Sequence, residues 1–459
     1  MAKKTCVVSP HRVKWSDFMS RILHRSLHEA PHLAVGGEGM YIVMADGRRV
    51  LDGSGGAAVA CLGHGDARVR AAIADQLSRV AYVHTGLFTN TAAEALAETL
   101  LGDEPGGLTH AFFVSSGSEG METALKLARQ YYLEIGQRQR TKFIARRGSY
   151  HGNTLGALSA GGNAMRRAPY AELLSPAFSH VSPCFSYRFQ GTDETDAAYV
   201  QRLADELEAE FQRLGPENVI AFCAEPVVGA TTGCVTAVPG YFQAMRAVCD
   251  RHGALLILDE VMRGMGRTGT MHAWEQEGVV PDIQVIAKGL GGGFQPIGGV
   301  LVSGRVIQAL DAGSGAFMHG HTYQAHPVAC AAALAVQRVI AEDDLLANVR
   351  AMGVVLQEQL TERFGNHAHV GDIRGRGLFQ AIELVADRSS KAPFDPGLRL
   401  HEKIKQQAFR NGVAVYPMGG TIDGRFGDHV VIAPPYIAQR EDIVAIVERL
   451  GDAVETVLA

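Results

Sequence analysis

Four short stretches of this chain carry residue types that could do chemistry together. Lys288 follows the apolar run Asp282–Ala287 and precedes Gly289-Leu290-Gly291-Gly292-Gly293. Burial and nearby charge can lower an amine's pKa and make it a nucleophile, although a lysine snorkelling from a strand end would look the same. Asp259 and Glu260 close the apolar run that starts at Ala254. An acid there is costly unless it is paired or functional. It could hold a positively charged ring nitrogen, or it could cap the next segment. Ser116-Gly117-Ser118-Glu119-Gly120 follows Ala111–Ser115. Small residues between a strand and a helix expose N–H groups suited to a phosphate, and a tight turn with a serine cap would use the same residues. Tyr150 and His151 lie between Gly148 and Gly152 after the run 142–146. They could show an aromatic face to a flat ligand, or simply shape a loop.

Each stretch alone is ambiguous, but the set is specific. It offers an amine for an aldehyde, N–H donors for a phosphate, a carboxylate for a ring nitrogen and an aromatic face for the ring. These are the needs of pyridoxal phosphate, whose ring must stay protonated to take up carbanion electrons.

The elements that must position these residues can be read from the apolar pattern. The runs 111–115, 142–146, 219–225, 254–260, 282–287 and 297–302 alternate with helical stretches such as Val200–Leu214. Several are apolar at nearly every residue, which predicts a mostly parallel sheet covered by helices on both faces. The last two runs are close together, so an antiparallel edge or hairpin is open there. Met40–Gly56, with Asp46-Gly47 at its turn, predicts a hairpin. Asp66–Val80 predicts an amphipathic helix with Val69, Ile73 and Leu77 on its apolar face. After about residue 340, helices at 346–364, 398–411 and 441–458 alternate with strand-like runs at 372–384, VAVYP and VVIAPPYI. This predicts a small α+β domain that the N-terminal hairpin joins. The expected division is an arm and hairpin over 1–70 belonging to the small domain, a large cofactor-binding domain over 71–335, and the remainder of the small domain over 336–459.

The whole chain agrees with that plan. Its 459 residues exceed what one core usually organises, so two intimate domains are expected. A net charge of −5 offers no basic field for nucleic acid or a membrane surface. Seven dispersed cysteines without zinc-ligand spacing point to reduced thiols, no metal site and a cytoplasmic protein. The basic N-terminus lacks the long apolar run of a signal peptide or membrane span.

The motifs SSGSEGMETALKLAR, GSYHGNT, LDEVMRGMGRTG, AKGLGGGFQPIGG, GHTYQAHPVACAAALA and GRGLFQAIEL carry a resemblance to a known family. In order and spacing the chain resembles the class III (subgroup II) aminotransferases of pyridoxal-phosphate fold type I, over roughly residues 35–455. The resemblance implies an α/β fold with a mostly parallel seven-stranded sheet in the large domain and a small α+β domain from both termini. It implies that Lys288 forms the Schiff base with the cofactor and then moves a proton. Asp259 would pair with the ring nitrogen, with Val261 on one face of the ring and Tyr150 on the other. Gly117 and Ser118 would hold the phosphate, and Glu225 would stand near the ring. Thr322 would reach the phosphate from a second subunit, so that a homodimer, or a tetramer of paired dimers, shares its active sites.

Departures from the family pattern bear on the substrate. Met262 stands where many members carry glutamine after the DEV triplet, so packing replaces a hydrogen bond to the ring oxygen. The stretch Glu225–Gly233 lacks the glutamate of the GABA and ornithine enzymes. Arg425 resembles the mobile arginine that clamps a substrate carboxylate in ω-amine:pyruvate transaminases, and a solvated loop arginine is the alternative. Phe88 matches an aromatic lining their pocket, and a core or interface phenylalanine would read alike. The nearest resemblance is to ω-amine transaminases, fumonisin-type amine transaminases and 3-aminobutyryl-CoA aminotransferases. It implies an amine or ω/β-amino donor and a small keto acid, pyruvate, as acceptor. Two rivals remain. A 2,1-aminomutase or racemase of the same fold would keep Lys288 and Asp259 without needing a keto acid. A dinucleotide-binding oxidoreductase would use the glycine-rich turn, but residues 116–120 are not a GxGxxG fingerprint.

Overall fold

The computed structural model describes residues 20–29 and 31–459. The arm expected ahead of the hairpin falls in large part outside the described residues, and Cys6 lies outside them too. Strands β1 (Ala34–Glu38), β2 (Tyr41–Met44) and β3 (Arg49–Asp52) open the fold as an antiparallel ribbon. The expected hairpin is β2–β3; β1 adds a strand that the apolar pattern does not show, since all five of its residues are exposed.

The central sheet has seven strands: β4 (Leu108–Val114), β5 (Lys142–Arg146), β6 (Phe178–Val181), β7 (Val219–Ala224), β8 (Leu255–Asp259), β9 (Ile283–Ala287) and β10 (Gly298–Ser303). Their order is β4-β10-β9-β8-β7-β5-β6. Pairings from β6 through β9 are parallel, while β10 runs antiparallel to both β9 and β4. The sheet is therefore mostly parallel, and β10 is its one reversed strand. Every residue of β7, β8 and β9 is buried, because helices cover both faces. On one face Phe222, Leu256, Leu258 and Ile286 pack with Leu207, Phe211 and Met245 from helices Asp196–Leu214 and Tyr241–Arg251. On the other, Ala221, Cys223, Leu255, Ile257 and Val285 meet Met121, Ala124 and Ala128 of helix Gly117–Glu134.

The C-terminal part adds β11 (Val370–Arg376), β12 (Phe379–Leu384), β13 (Val413–Ala414), β14 (Tyr416–Gly419) and β15 (Asp428–Ile432). The single strand expected within Asp372–Leu384 is an antiparallel pair, β11–β12. The run VAVYP divides between β13 and β14, which join different sheets. Strand β13 pairs parallel with β3, so one small sheet is built from both ends of the chain. One apolar cluster joins Met40, Leu51 and Val69 to Leu356, Ile382, Ile432 and Leu450. In the helix Ala67–Arg79, Val69 is buried but Leu77 is 54% exposed. The expected apolar face is narrower than its periodicity, because the helix lies on the surface. Among the described residues no helix is long and apolar enough to cross a membrane.

Candidate active site

Because β4, β5, β7, β8 and β9 run in one direction, their C-terminal ends share one edge of the sheet. Ligands of open α/β sheets bind beyond that edge. There the chain places Ser116-Gly117-Ser118 after β4, Tyr150-His151 after β5, Glu225 after β7, Asp259 at the end of β8 and Lys288 after β9.

Asp259 is buried and fully engaged. Its Oδ2 lies 2.9 Å from His151 Nδ1, and its Oδ1 accepts from the Val261 N–H at 3.0 Å. Arg263, four residues on, donates to the Asp259 carbonyl at 2.7 Å and lies 3.3 Å from Oδ1. Burial pushes this carboxyl up, but the His151 hydrogen bond and the Arg263 charge outweigh it and hold Asp259 below its ordinary value. Asp259 is thus kept anionic, as a partner for a cationic ring nitrogen must be.

Glu225 is the second buried acid. It pairs with Arg263, so one guanidinium bridges both carboxylates. Its oxygens also accept from the Tyr150 and Gly229 N–H groups, each at 2.9 Å. Glu225 therefore fixes the backbone that carries Tyr150. From sequence, Arg263 has no role and His151 is only part of an aromatic loop. A signal for Arg263 exists: two buried acids need a counter-charge, and this arginine is the one four residues beyond Asp259.

Lys288 is largely buried and has a backbone φ of +47°. A non-glycine residue in this region costs about 1–2 kcal/mol, and such strain clusters at functional sites. Burial, reinforced by Arg263, pushes the amine down to about 7, with Asp259 and Glu225 opposing. A large share of this amine is therefore neutral near neutral pH.

The phosphate turn begins the helix at Gly117, capped by Ser116, whose hydroxyl accepts the Glu119 N–H at 3.2 Å. Gly117 is needed for space. A Cβ there would come within 2.9 Å of both Val261 methyls. Ser118 Oγ accepts the Asn153 N–H at 3.0 Å, which ties the turn to the Tyr150 loop. Met262 is buried in an apolar cluster with Val227, Cys234 and Phe379, consistent with packing in place of a polar contact.

The remaining expected site residues lie apart from this core. Thr322 is exposed in the single chain, and Phe88 is 59% exposed. Their neighbourhoods touch, for Asn90 donates to the Ala325 carbonyl and the Tyr82 and Tyr323 rings meet edge to face at 5.9 Å. Arg425 is exposed on the loop before β15, where its guanidinium stacks on Phe426 at 5.1 Å. Among the described residues, no hydrogen bond or ion pair links these three side chains to Lys288 or Asp259.

The donor set fits pyridoxal phosphate on its own terms. It has an amine of depressed pKa, a carboxylate held ionised, helix-start N–H groups beside an obligatory glycine, and a buried His151 Nε2 without a partner.

Comparisons with known proteins agree. The class III aminotransferase family profile matches residues 23–454. An uncharacterized aminotransferase of Schizosaccharomyces pombe is 50% identical, over 97% of each chain. A thermostable (S)-enantioselective ω-transaminase from Thermomicrobium roseum superposes with a TM-score of 0.88 at 39% identity, over 94% of each chain. An amine transaminase from an uncultivated Pseudomonas species, solved with pyridoxal phosphate bound, superposes at 0.89 and 35% identity, over 96% of this chain and 98% of that one. The fold is that of pyridoxal-phosphate fold type I, and the cofactor is pyridoxal phosphate. The chain belongs to the class III aminotransferases, and it is an enzyme that moves amino groups.

Proposed function

We propose that the protein transfers an amino group from a primary amine or an ω- or β-amino acid to a small keto acid, pyruvate, in two successive half-reactions at one site. The observation that carries this reading is that Lys288, its amine pushed by burial down to about 7, and Asp259, held anionic by His151 and Arg263, stand at the same edge of the sheet at the ends of the neighbouring strands β9 and β8. The donor class is supported by the ω- and amine transaminases among the structural relatives and by the missing glutamate after Glu225-Pro226.

When bound, pyridoxal phosphate supplies a carbonyl conjugated to an electron-withdrawing ring, which accepts the amino group. The protein's part is binding and proton movement. Helix N–H groups at Gly117 and Ser118 hold the phosphate. Asp259, kept ionised by His151 and Arg263, would pair with the ring nitrogen. Val261 and Tyr150 would pack against the ring, and Glu225 anchors the Tyr150 backbone. Lys288 Nζ would hold the cofactor's aldehyde carbon and, when free, would be the base that moves the donor carbon's proton. Arg425 receives the keto acid's carboxylate, and Phe88 lines the pocket.

A homodimer completes the site in this reading, with Thr322 reaching the partner's phosphate. Supporting it, Thr322 shares an exposed surface with Tyr82, Leu87, Phe88, Met318 and Tyr323. The three-part domain division at about residues 70 and 335 is supported by the apolar cluster that joins both ends of the chain. A cytoplasmic location is supported by six buried, unpaired cysteines among the described residues.

The test is the absorbance of the holoenzyme as single amines are added, followed by pyruvate or 2-oxoglutarate. The visible cofactor band should bleach with an amine and return with pyruvate. Return only with 2-oxoglutarate corrects the acceptor. A band that bleaches and needs no keto acid for turnover favours the aminomutase or racemase reading.

A further inference from the structure

Two adjacent arginines beside Tyr150 are used very differently. Arg167 donates to three carbonyls, of Leu158, Ser159 and Gly161, and so pins the short helix Ala164–Arg167 to the segment before it. The Asn163 side chain caps that helix by accepting the Arg166 N–H at 3.1 Å. With its backbone fixed, Arg166 carries its guanidinium 4.9 Å over the Tyr150 ring. Among the described residues no carboxylate or carbonyl accepts from that guanidinium.

Arg166 does not stand alone. The loop bearing Arg425 packs on the same helix, since a Cβ on Gly424 would approach the Met165 nitrogen at 3.1 Å and the Ala164 Cβ at 3.4 Å. The acid of that loop, Asp423, accepts through Oδ1 from the backbone N–H groups of Arg425 and Phe426, each at 2.8 Å. Arg25, on the segment 20–29, lies near enough for its charge to act on the Tyr150 hydroxyl. Two arginines thus act on one aromatic ring, and the loop of a third packs on the helix that carries Arg166. Among the described residues none forms an ion pair with a carboxylate. A guanidinium held in place offers a fork of donors suited to a carboxylate or phosphate.

We propose that Arg166, flanked by Arg25 and Arg425, is an anion-binding subsite beyond Tyr150, and that the enzyme's preferred amine donors carry a carboxylate or phosphate ester several bonds from the amino carbon. The inference rests on the reading of Tyr150 as the ring-stacking residue. The Tyr150 ring then separates Arg166 from the reacting carbon, so the group it binds is distal. An α-carboxylate is too near to reach it. This role differs from that of Arg425 toward the keto acid.

The test pairs two donors of equal reach, hexylamine and its ω-carboxylate counterpart aminohexanoate, in the holoenzyme and in Arg166→Gln, Arg166→Lys and Arg25→Gln. Loss of a charge-assisted contact in Arg166→Gln should raise the Michaelis constant for aminohexanoate about tenfold. Hexylamine and pyruvate should stay within about twofold, and Arg166→Lys should recover part of the loss. Calorimetric titration with adipate, which cannot react, should show the same weakening. If both donors are inert in the parent enzyme, the proposed donor class fails while adipate still reports on the subsite. Repeating the comparison with aminopentyl phosphate names the anion by whichever binds tighter. Adipate affinity unchanged in Arg166→Gln, or equal losses for both donors, overturns the proposal.

Discussion

At the scale of single residues, Lys288 joins a strained backbone, a depressed pKa and two buried acids close by. Lys288→Ala should abolish turnover, measured by single-turnover absorbance, while bound phosphate remains measurable through the Gly117–Ser118 turn; full activity would refute the role of the lysine. The pH dependence has a definite sign. The folded chain releases this proton at about 7, below the ordinary lysine value of 10.5. Uptake of pyridoxal phosphate by the cofactor-free protein should therefore accelerate through pH 7 and level off, rather than rise toward 10.5. Across the same window the unfolded chain binds more protons, so this group makes the cofactor-free protein more stable as pH rises. A rate that keeps climbing past pH 9 would show that burial does not act on this amine. Lys288 and Asp259 were legible in the sequence because a charged residue closing an apolar run is conspicuous. Arg263 was not, because its function depends on two acids that meet only when β7 and β8 lie side by side.

At the scale of elements, the end of β8 is held by more than the contacts of Asp259. Glu260 is fully buried, and its oxygens accept from the Ala273 N–H at 2.8 Å, the Trp274 N–H at 2.7 Å and Gln284 Nε2 at 3.0 Å. It clamps β8 and β9 to the turn Ala273–Glu277. In Glu260→Gln an amide N–H₂ would face a donor, leaving at least one buried donor unmatched at a cost of about 1–3 kcal/mol. The variant should melt several degrees lower while its cofactor band is unchanged; an unaltered midpoint would show that the clamp carries no stability. Strands buried on both faces were readable as continuous apolar runs. Strand β6, Phe178–Val181, was not, because it is a four-residue edge strand with serine and histidine at its centre. Nothing in its composition separates it from a loop until β5 supplies its hydrogen bonds.

At the scale of the whole molecule, exposed apolar side chains gather where Tyr82–Phe88 meets Met318–Tyr323. Met318 is 76% and Tyr323 59% exposed in the single chain, a density that marks an interaction surface. The proposed dimer predicts that Met318→Glu with Tyr323→Glu shifts the protein toward monomers in sedimentation and lowers cofactor retention, since Thr322 lies in the same segment. A variant that sediments as the parent and keeps its cofactor would place the interface elsewhere.

Sequence by itself determined the chemistry available and the kind of sheet that presents it. Lys288, Asp259, Gly117, Ser118 and Tyr150 each follow or end an apolar run, and both signals are local, fixed by residue type and spacing. The tertiary structure alone decided which groups share charge. His151 meets Asp259 across 108 positions, and Arg263 links Glu225 and Asp259 across the sheet edge. It also decided that β13 would complete a sheet begun by β1–β3. Those pairings depend on strand order, and strand order follows from how helices and sheet faces bury one another, which no window of neighbouring residues contains.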